Sequence, residues 1–290
     1  MRTFLLPFAV ALTLGLPAAA AAQVIDAQTA PPTAASDDGG DRVTIGIGLA
    51  SVPDYEGADS NDIVPAAAAV GTLGGFDFFT RGTQLYVDLV RDPAGPGTKF
   101  ELGPIAAVRF QRNDVDGIDN PQVRALGKID TAYELGASVG VSRTGVITSD
   151  FDTLSARVGF VHDVSGAHGS YVVSPQINYT TPLSYSTLVS LGASADYVGR
   201  GFGRTYFAVA PAGTLASGLR TYGVTDSGWK NYSLSLFALQ SLSGDLRRGL
   251  AVGGGVLYSR YLGKYKRSPL VGDIGDASTW SLAAGLTYTF

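Results

Sequence analysis

Hydrophobic and polar residues alternate along the last eleven residues of the chain. From Trp280 to Phe290, every second residue is apolar or aromatic, and the residues between them are serine, threonine, alanine or glycine. Successive side chains of a β-strand point to opposite faces, so this segment predicts a strand with one apolar face and one face of small residues. A soluble edge strand rarely exposes such an uncharged aromatic row, whereas a strand that closes a barrel in lipid requires one.

The same alternation recurs through most of the chain, and no helical pattern of useful length accompanies it. The predicted strands are 43–50, 63–73, 76–90, 100–111, 133–141, 154–164, 171–179, 183–197, 205–210, 232–242, 250–261 and 280–290. An even number of strands is expected for a bacterial single-chain barrel. The sequence therefore predicts an all-β fold, a transmembrane antiparallel β-barrel of about 12 strands of the bacterial outer-membrane type.

One of these segments has two possible interpretations. Phe76 and Phe78 share one parity, whereas Leu85 and Val87 share the other. Either a bulge in one bent strand or a tight hairpin between residues 81 and 83 produces this shift, and the alternation does not distinguish them. The strand count above treats the segment as one bent strand.

The strand count also predicts a topology. Counting back from a periplasmic C-terminus makes 212–228 and 263–277 long outside loops and 243–247 a short periplasmic turn, as is usual for these barrels. The same count makes 112–130 a long periplasmic connection. Either a strand is miscounted, or this loop is there to meet a partner.

The N-terminus has the pattern of an export signal. Arg2 precedes an apolar run from Phe4 to Leu16, and an alanine tract ends at Ala22. We therefore expect a Sec signal peptide at 1–22 with cleavage after Ala22, a flexible periplasmic lead-in at 23–41 and the barrel at 42–290. The apolar run is too short to span a membrane, so we expect a protein of the cell outer membrane that crosses lipid only with strands.

Composition narrows the function classes. Of 290 residues, 45% are hydrophobic and only 16% are charged, and the chain has 38 glycines, 14 tyrosines and 13 phenylalanines. This balance is unusual for a soluble enzyme of this size. The chain has no cysteine, which excludes thiolate chemistry and disulfides. Its formal charge of −4 offers no basic surface for nucleic acid.

The candidate chemical groups are few. The two histidines are His162, with the parity of the lipid-facing row, and His168, in a glycine-rich turn. A barrel hydrolase would need a serine or an orienting acid near one of them, and a metal site would need more ligands. We expect an interfacial and a turn histidine, and therefore no enzyme, catalytic residue, cofactor or metal. The glycine run 253–255 has no following helix and is no phosphate loop.

Charged residues on the polar face of the predicted strands allow two interpretations. They are Asp88, Glu101, Arg109, Glu134, Arg157, Asp163 and Asp196. Either they pair with one another, or they line a water-filled lumen and set its solute preference. A basic run near a strand end, formed by Arg260, Lys264, Lys266 and Arg267, is either a solvated loop or a contact for anionic lipopolysaccharide.

Several stretches resemble the MipA/OmpV family of outer-membrane proteins. They occur in the order of that family and span nearly the whole predicted mature chain: VPDYEGADS, GKIDTAYELG, DVSGAHG, TYFAVAPAGTLASGL, SPLVGDIG and the terminal YTF. The chain departs from the family pattern at Ala208, usually glycine, and at 264–266, usually more acidic.

The resemblance implies a non-enzymatic barrel that is a scaffold for periplasmic peptidoglycan-remodelling enzymes, namely a lytic transglycosylase and a murein synthase. Residues 112–130 and the lead-in are the predicted contact segments. The alternative is a porin-like channel for small solutes, which the serine- and glycine-rich inner face favours. Outer-membrane lipid and lipopolysaccharide are further expected partners.

Overall fold

The structure, a computed structural model, describes residues 40–91 and 95–290 and is a closed antiparallel barrel of twelve strands. The strands are β1 (Arg42–Pro53), β2 (Asn61–Leu73), β3 (Phe76–Arg81), β4 (Gln84–Val87), β5 (Thr98–Arg109), β6 (Ala132–Thr144), β7 (Thr153–Asp163), β8 (Tyr171–Pro182), β9 (Thr187–Val198), β10 (Gly228–Ser241), β11 (Gly249–Tyr261) and β12 (Ser278–Thr289). This confirms the predicted fold class. The predicted signal peptide (1–22) and residues 23–39 of the predicted lead-in lie outside the described residues.

Each strand pairs with its neighbours in sequence, and the barrel closes where β1 pairs with β12. The closing register runs from Thr44 opposite Thr289 to Ser51 opposite Leu282. Closure leaves the terminal strand no free edge, which explains why the chain can end on uncharged aromatic residues.

The alternation sorts side chains to the two faces of the wall as the sequence predicts. On β1, Ile47 and Leu49 are 69% and 60% exposed on the outer face, whereas Gly46 and Ala50 are buried inside. On β12, Trp280 lies on the outer face and packs against Tyr258 of β11 with the rings tilted, and the ring centroids are 4.9 Å apart. An apolar outer band bordered by aromatic rings is the surface of a barrel that sits in lipid.

Two strand assignments from the sequence are wrong, and they cancel in the count. The segment 76–90 is not one bent strand: β3 and β4 form a hairpin around Gly82 and Thr83. Gly82 has a φ of 61°, the conformation that glycine allows at the first position of a two-residue hairpin turn. The segment 205–210 is not a strand, because it falls at the end of a helix and in the loop behind it.

The hairpin changes the topology. Both ends of the described chain and the connections 74–75, 88–97, 145–152, 183–186 and 242–248 lie at one end of the barrel, here called the short-turn end. The connections 54–60, 110–131, 164–170, 199–227 and 262–277 lie at the other, the long-loop end, and the turn 82–83 points toward that end. Residues 112–130 are therefore not a periplasmic connection as the count had it; they share an end with the other long loops.

Short helices form within the long loops. They are α1 (Pro121–Ala125), α2 (Arg200–Tyr206), α3 (Pro211–Ser217), α4 (Gly263–Lys266) and α5 (Pro269–Gly272). None of the helices in the described residues is long and apolar enough to cross a membrane. The short-turn end is the periplasmic one by the usual asymmetry of outer-membrane barrels, so these helices lie at the extracellular end.

Candidate functional site

Aromatic side chains from the long loops fill the extracellular end of the barrel. Phe202 of α2, Phe207 behind it and Tyr265 of α4 have no exposed surface, and they pack with wall residues such as Val161 and Val198. Burial raises the pKa of the nearby Tyr206 hydroxyl. We call the parts of loops 199–227 and 262–277 that pack here the aromatic plug.

A second apolar cluster joins the loops to one another above the plug. Its members are Tyr55 and Ala58 from loop 54–60, Ile118 and Val123 from loop 110–131, Val209 and Leu219 from loop 199–227, and Leu270 from loop 262–277. The four loops thus share a hydrophobic core of their own. Such loops are part of the folded domain rather than independent surface segments.

A charged layer lies directly beneath the plug. Arg109 of β5 donates two hydrogen bonds to Glu134 of β6, at 3.2 and 3.1 Å. Glu134 Oε1 also lies 2.9 Å from His168 Nε2. Phe202 covers this group, because its ring lies 5.0 Å from the Arg109 guanidinium and 5.3 Å from the His168 ring. Arg109 and Glu134 are thus paired, in agreement with the first of the two interpretations of the polar-face charges.

A β-bulge aims a lysine into the same layer. The β9–β10 register shifts between Trp229 and Asn231, so Lys230 is the bulged residue, and its side chain points inward. Its Nζ lies 2.9 Å from Glu56 Oε1 and 3.4 Å from Asp196 Oδ2. One ammonium and two carboxylates therefore meet inside the barrel, where an isolated charge would be strongly unfavourable.

Glu56 enters the lumen from loop 54–60 and is 7% exposed. Besides Lys230, its carboxylate accepts a hydrogen bond of 2.5 Å from the Tyr261 hydroxyl. Sequence analysis did not identify Glu56, Lys230 or Arg81 as lumen residues. Glu56 lies in a loop that folds inward, Lys230 in a bulge and Arg81 beside the hairpin turn. The alternation of apolar and polar residues reveals none of these features.

A polar cavity of about 100 Å³ lies within this layer. Arg81, Arg109 and Lys230 line it together with Glu56 and Glu134. Further lining comes from Tyr261, Asn231, Ser259 and Gln84. The cavity offers both charge signs and several hydrogen-bonding groups, so it fits water or the polar part of a small ligand.

Several side chains of the lower lumen lie over glycines. Arg157 forms an ion pair with Glu101, as the pairing interpretation predicted, and its guanidinium lies 4.5 Å from the Phe79 ring. On the opposite wall, a Cβ at Gly253 would come within 2.9 Å of the Leu239 side chain. Large residues on one strand therefore occupy the space that glycine leaves on the next.

The remaining candidate residues have structural positions. His162 lies on the outer face, as expected, whereas His168 belongs to loop 164–170 but is buried rather than turned to solvent. Asp163 accepts hydrogen bonds from the backbone N–H groups of His168 (2.7 Å) and Gly169 (2.8 Å) and so holds this loop inward. Asp88 caps the backbone N–H of Val90 at 2.9 Å.

The basic run lies at the extracellular end. Lys264 Nζ donates to the backbone oxygens of Asp226 (2.5 Å) and Ser227 (2.8 Å), so it ties two loops together. Lys266 and Arg267 are exposed. No group of three or more histidine or acidic side chains in the described ranges is arranged to hold a metal ion.

The model of the family described as MltA-interacting protein MipA matches residues 45–290. No curated protein matches the chain.

Several solved outer-membrane proteins are similar at low identity. The outer membrane channel DcaP of Acinetobacter baumannii is 9% identical, with 86% of this chain and 96% of that chain covered and a TM-score of 0.39. OprB of Pseudomonas putida is 10% identical, with 87% and 94% covered and a TM-score of 0.41. OmpT of Vibrio cholerae is 8% identical, with 87% and 97% covered and a TM-score of 0.35.

Proposed function

Because the chain belongs to the MltA-interacting protein MipA family, we propose that this outer-membrane barrel is a non-enzymatic adaptor that binds a peptidoglycan-remodelling enzyme at its periplasmic end. The partner class is a lytic transglycosylase, in keeping with the family description, with a murein synthase as a second member of the complex. The observation that carries the proposal is the filled lumen. Aromatic and charged layers occupy the interior, which leaves the outer surfaces for function.

The periplasmic end has a surface suited to a protein partner. Five apolar side chains of three short turns are exposed there, and we call them the periplasmic patch: Ile147, Phe151, Leu183, Tyr185 and Leu242, with exposures of 66, 71, 66, 81 and 58%. Exposed apolar groups clustered on a surface are typical of interaction sites, and aromatic residues often dominate their binding energy.

The patch is a continuous surface, because hydrogen bonds connect its turns. Thr148 Oγ1 lies 3.1 Å from Thr181 Oγ1, which links turn 145–152 to the end of β8. The backbone N–H of Leu246 donates to the oxygen of Tyr185 at 3.0 Å, which links turns 183–186 and 242–248. The long connection 112–130 lies at the opposite end, so the proposed contact rests on these turns and not on that loop.

The proposal is tested with the barrel in lipid nanodiscs and a purified MltA-type lytic transglycosylase. Replacing Phe151, Tyr185 and Leu242 by serine should weaken binding at least about tenfold, because aromatic anchors commonly contribute more than 1–2 kcal/mol each. The matched control replaces Val164 and Leu215, which are 60% and 89% exposed at the extracellular end, by serine. Unchanged binding by the patch variant, or equal loss in the control, would contradict the proposal.

The position of His168 supports the absence of enzymatic activity. Its Nε2 contacts Glu134, and the rings of Phe202 and Tyr206 lie 5.3 and 5.8 Å away. A general base needs a nucleophile within hydrogen-bond reach, and this imidazole is instead paired with a carboxylate. Hydrolysis of a lipid or peptide substrate that disappears in a folded His168→Ala variant would contradict this part of the proposal.

A porin-like channel is the second candidate, and the polar cavity is the observation that favours it. Single-channel recording in a planar bilayer separates the two candidates. Discrete, reproducible conductance steps from the unmodified protein would support a channel. A barrel that gives no conductance, although its electrophoretic mobility shows that it is folded, would support the adaptor. We also propose that exposed Lys266 and Arg267 contact lipopolysaccharide at the extracellular face, where phosphate groups attract cations.

A further inference from the structure

The wall of the barrel is lower at β3 and β4 than elsewhere. These strands have six and four residues, whereas the other ten have between 11 and 14. A tilted strand needs about 9–11 residues to cross the hydrocarbon core. The β3–β4 hairpin therefore rises only part of the way from the periplasmic end.

The upper half of β2 consequently lacks a strand neighbour on the hairpin side. The β2–β3 ladder runs from Leu73 to Val70. One step above it, the Thr80 hydroxyl contacts the backbone N–H (2.8 Å) and oxygen (3.3 Å) of Ala69 in place of a strand. Residues 61–68 have no ladder on that side within the described parts of the chain.

The sequence of β2 is adapted to this open side. Backbone groups of alternate residues point to the same neighbour, so Pro65 has the parity of Ala69 and faces the hairpin side. Proline has no N–H to leave unpaired, so it is tolerated at an edge position. Pro65 is therefore compatible with the open side of β2.

The open edge lies at the depth of the hydrocarbon. Asn61 Nδ2 donates to the backbone oxygen of Trp280 at 2.9 Å, so the top of β2 is level with the aromatic ring layer. Pro65 lies lower, opposite Leu49, whose side chain is 60% exposed on the outer face. At this depth, non-helical backbone without a partner is tolerated only where it is buried in protein or lines a water-filled cavity.

The polar cavity reaches this same place. Its lining includes Thr83 at the tip of the hairpin and Val108, Phe110 and Gln111 where β5 ends. Loop 110–131 passes above, because Asp119 N–H donates to Asp54 of loop 54–60 at 3.1 Å. We call the opening framed by residues 61–69, 82–83 and 108–111 the lateral window. Thr83 and Val108 belong both to this frame and to the lining of the cavity.

Glu56 shows which chemistry the cavity binds. Its carboxylate comes from a loop, and it is held by the Lys230 ammonium at 2.9 Å and the Tyr261 hydroxyl at 2.5 Å. The Arg109 and Arg81 side chains line the same cavity. The cavity carries both charge signs, and its Lys230 ammonium and Tyr261 hydroxyl, which already hold one carboxylate, suit a second carboxylate of similar size.

We propose that the lateral window admits a single-chain alkyl carboxylate from the outer leaflet. The carboxylate enters the cavity and takes the place of Glu56 against Lys230 and Tyr261, while the alkyl chain passes between Pro65 and Thr83 into the bilayer. The cavity of about 100 Å³ accommodates a carboxylate and its first methylene groups, and the window provides the apolar path for the rest. This inference does not depend on a periplasmic partner.

The test is equilibrium binding of radiolabelled dodecanoate to the protein in nanodiscs, with empty nanodiscs as background. Dodecanol, which lacks the charge, and acetate, which lacks the chain, should both bind at least about tenfold more weakly, since hydrogen bonds to charged groups exceed neutral ones. Glu56→Gln removes the competing carboxylate and should tighten dodecanoate binding about tenfold, whereas Lys230→Gln should weaken it.

A second pair of variants tests the path. Val108→Trp places a bulky ring at the window and should abolish dodecanoate binding, and Val158→Trp places the same ring on the outer face of β7, away from the window, and should leave it unchanged. Equal binding of dodecanoate and dodecanol, no gain in folded Glu56→Gln, or equal effects of the two tryptophans would overturn the proposal. If Glu56→Gln does not fold, the proposal is still tested by comparing dodecanoate with dodecanol and acetate, and by comparing the Val108→Trp and Val158→Trp variants.

Discussion

The two ends of the barrel use aromatic residues in opposite ways. At the extracellular end, Phe202, Phe207 and Tyr265 lie in loops and yet have no exposed surface. At the periplasmic end, Phe151 and Tyr185 also lie in connections, but they are 71% and 81% exposed. The extracellular loops are thus a folded closure of the lumen, whereas the periplasmic turns only join strands and present their side chains outward. The extracellular end therefore closes over the lumen, and the periplasmic end exposes the apolar surface that we propose for a partner.

The largest expected effect comes from removing the closure. Replacing residues 199–227 by an Asn-Gly turn should join β9 directly to β10, because Val198 and Gly228 are already paired. The variant loses Phe202 and Phe207, and we expect conductance steps in a planar bilayer where the unmodified barrel gives none.

The matched change at the other end replaces 242–248 by the same turn and should leave conductance unaltered. If the first variant stays silent while folded, the charged layer or the lower lumen closes the barrel without the plug. If the second variant conducts, occlusion is not a property of the extracellular end.

A large stability effect is expected within the charged layer. Glu134→Gln removes the carboxylate that Arg109 and His168 share and should lower the free energy of unfolding by about 3–5 kcal/mol, because a buried cation loses its partner. Urea unfolding in lipid vesicles measures this difference.

The control is Asp273→Asn, which breaks the ion pair with Arg220 on the extracellular loops. Both side chains are well exposed, at 40% and 50%, so the change should stay below about 1 kcal/mol. Similar losses in the two variants would mean that the lumen pair is solvated like a surface pair.

A moderate effect is expected in the lower lumen. Gly253→Val places a Cβ within 2.9 Å of the Leu239 side chain and should lower the free energy of unfolding by about 1–3 kcal/mol through overpacking. Gly223→Ala, in an extracellular loop with nothing near its Cβ position, is the control and should have little effect. A neutral Gly253→Val would show that the lower lumen has unoccupied space.

The smallest expected effect concerns a periplasmic turn. Burial raises the pKa of Asp152, but hydrogen bonds from the backbone N–H groups of Thr148 and Val146 outweigh burial and hold the pKa well below its usual range. The folded state therefore favours the carboxylate, and its stabilisation is complete above the ordinary pKa of about 3.9 and is lost as the pH falls toward the lower folded value.

Asp152→Asn should accordingly lower the urea midpoint at pH 7 and make little difference at a pH below the folded pKa. Unfolding curves of both proteins across this pH range provide the measurement. If the difference between the urea midpoints of the two proteins stays constant with pH, the substitution destabilises the fold through lost packing or altered hydrogen-bond geometry and not through the lost charge.

The alternation predicted the wall well, because a wall strand has one face in lipid and the other in the lumen. It failed where both faces of a segment are buried. Residues 205–210 contain the apolar residues of a strand, but Phe207 and Val209 pack inside the loop clusters. A two-residue turn and a bulge shift the alternation of apolar residues in the same way, so the pattern did not reveal the hairpin at Gly82 either. The two errors restored the correct count while inverting the position of 112–130.

The lumen site depended on features that a linear pattern does not contain. Arg109 and Glu134 were recognised because they lie on regular strands with inward parity. Lys230 points inward only through a bulge, and Glu56 only because its loop folds back into the barrel. Pairing of distant charges is a property of the closed fold, and it becomes visible only when the strands are set side by side.

Pro65 has a consequence for how copies of this protein coexist in one membrane. An open strand edge in lipid is a template on which a neighbouring barrel or an unfinished chain can add a strand. A missing donor at the middle of that edge interrupts any such ladder, so the opening that serves small molecules disfavours fusion with other barrels. Replacing this proline would therefore affect assembly in a crowded membrane before it affected the fold of a single copy.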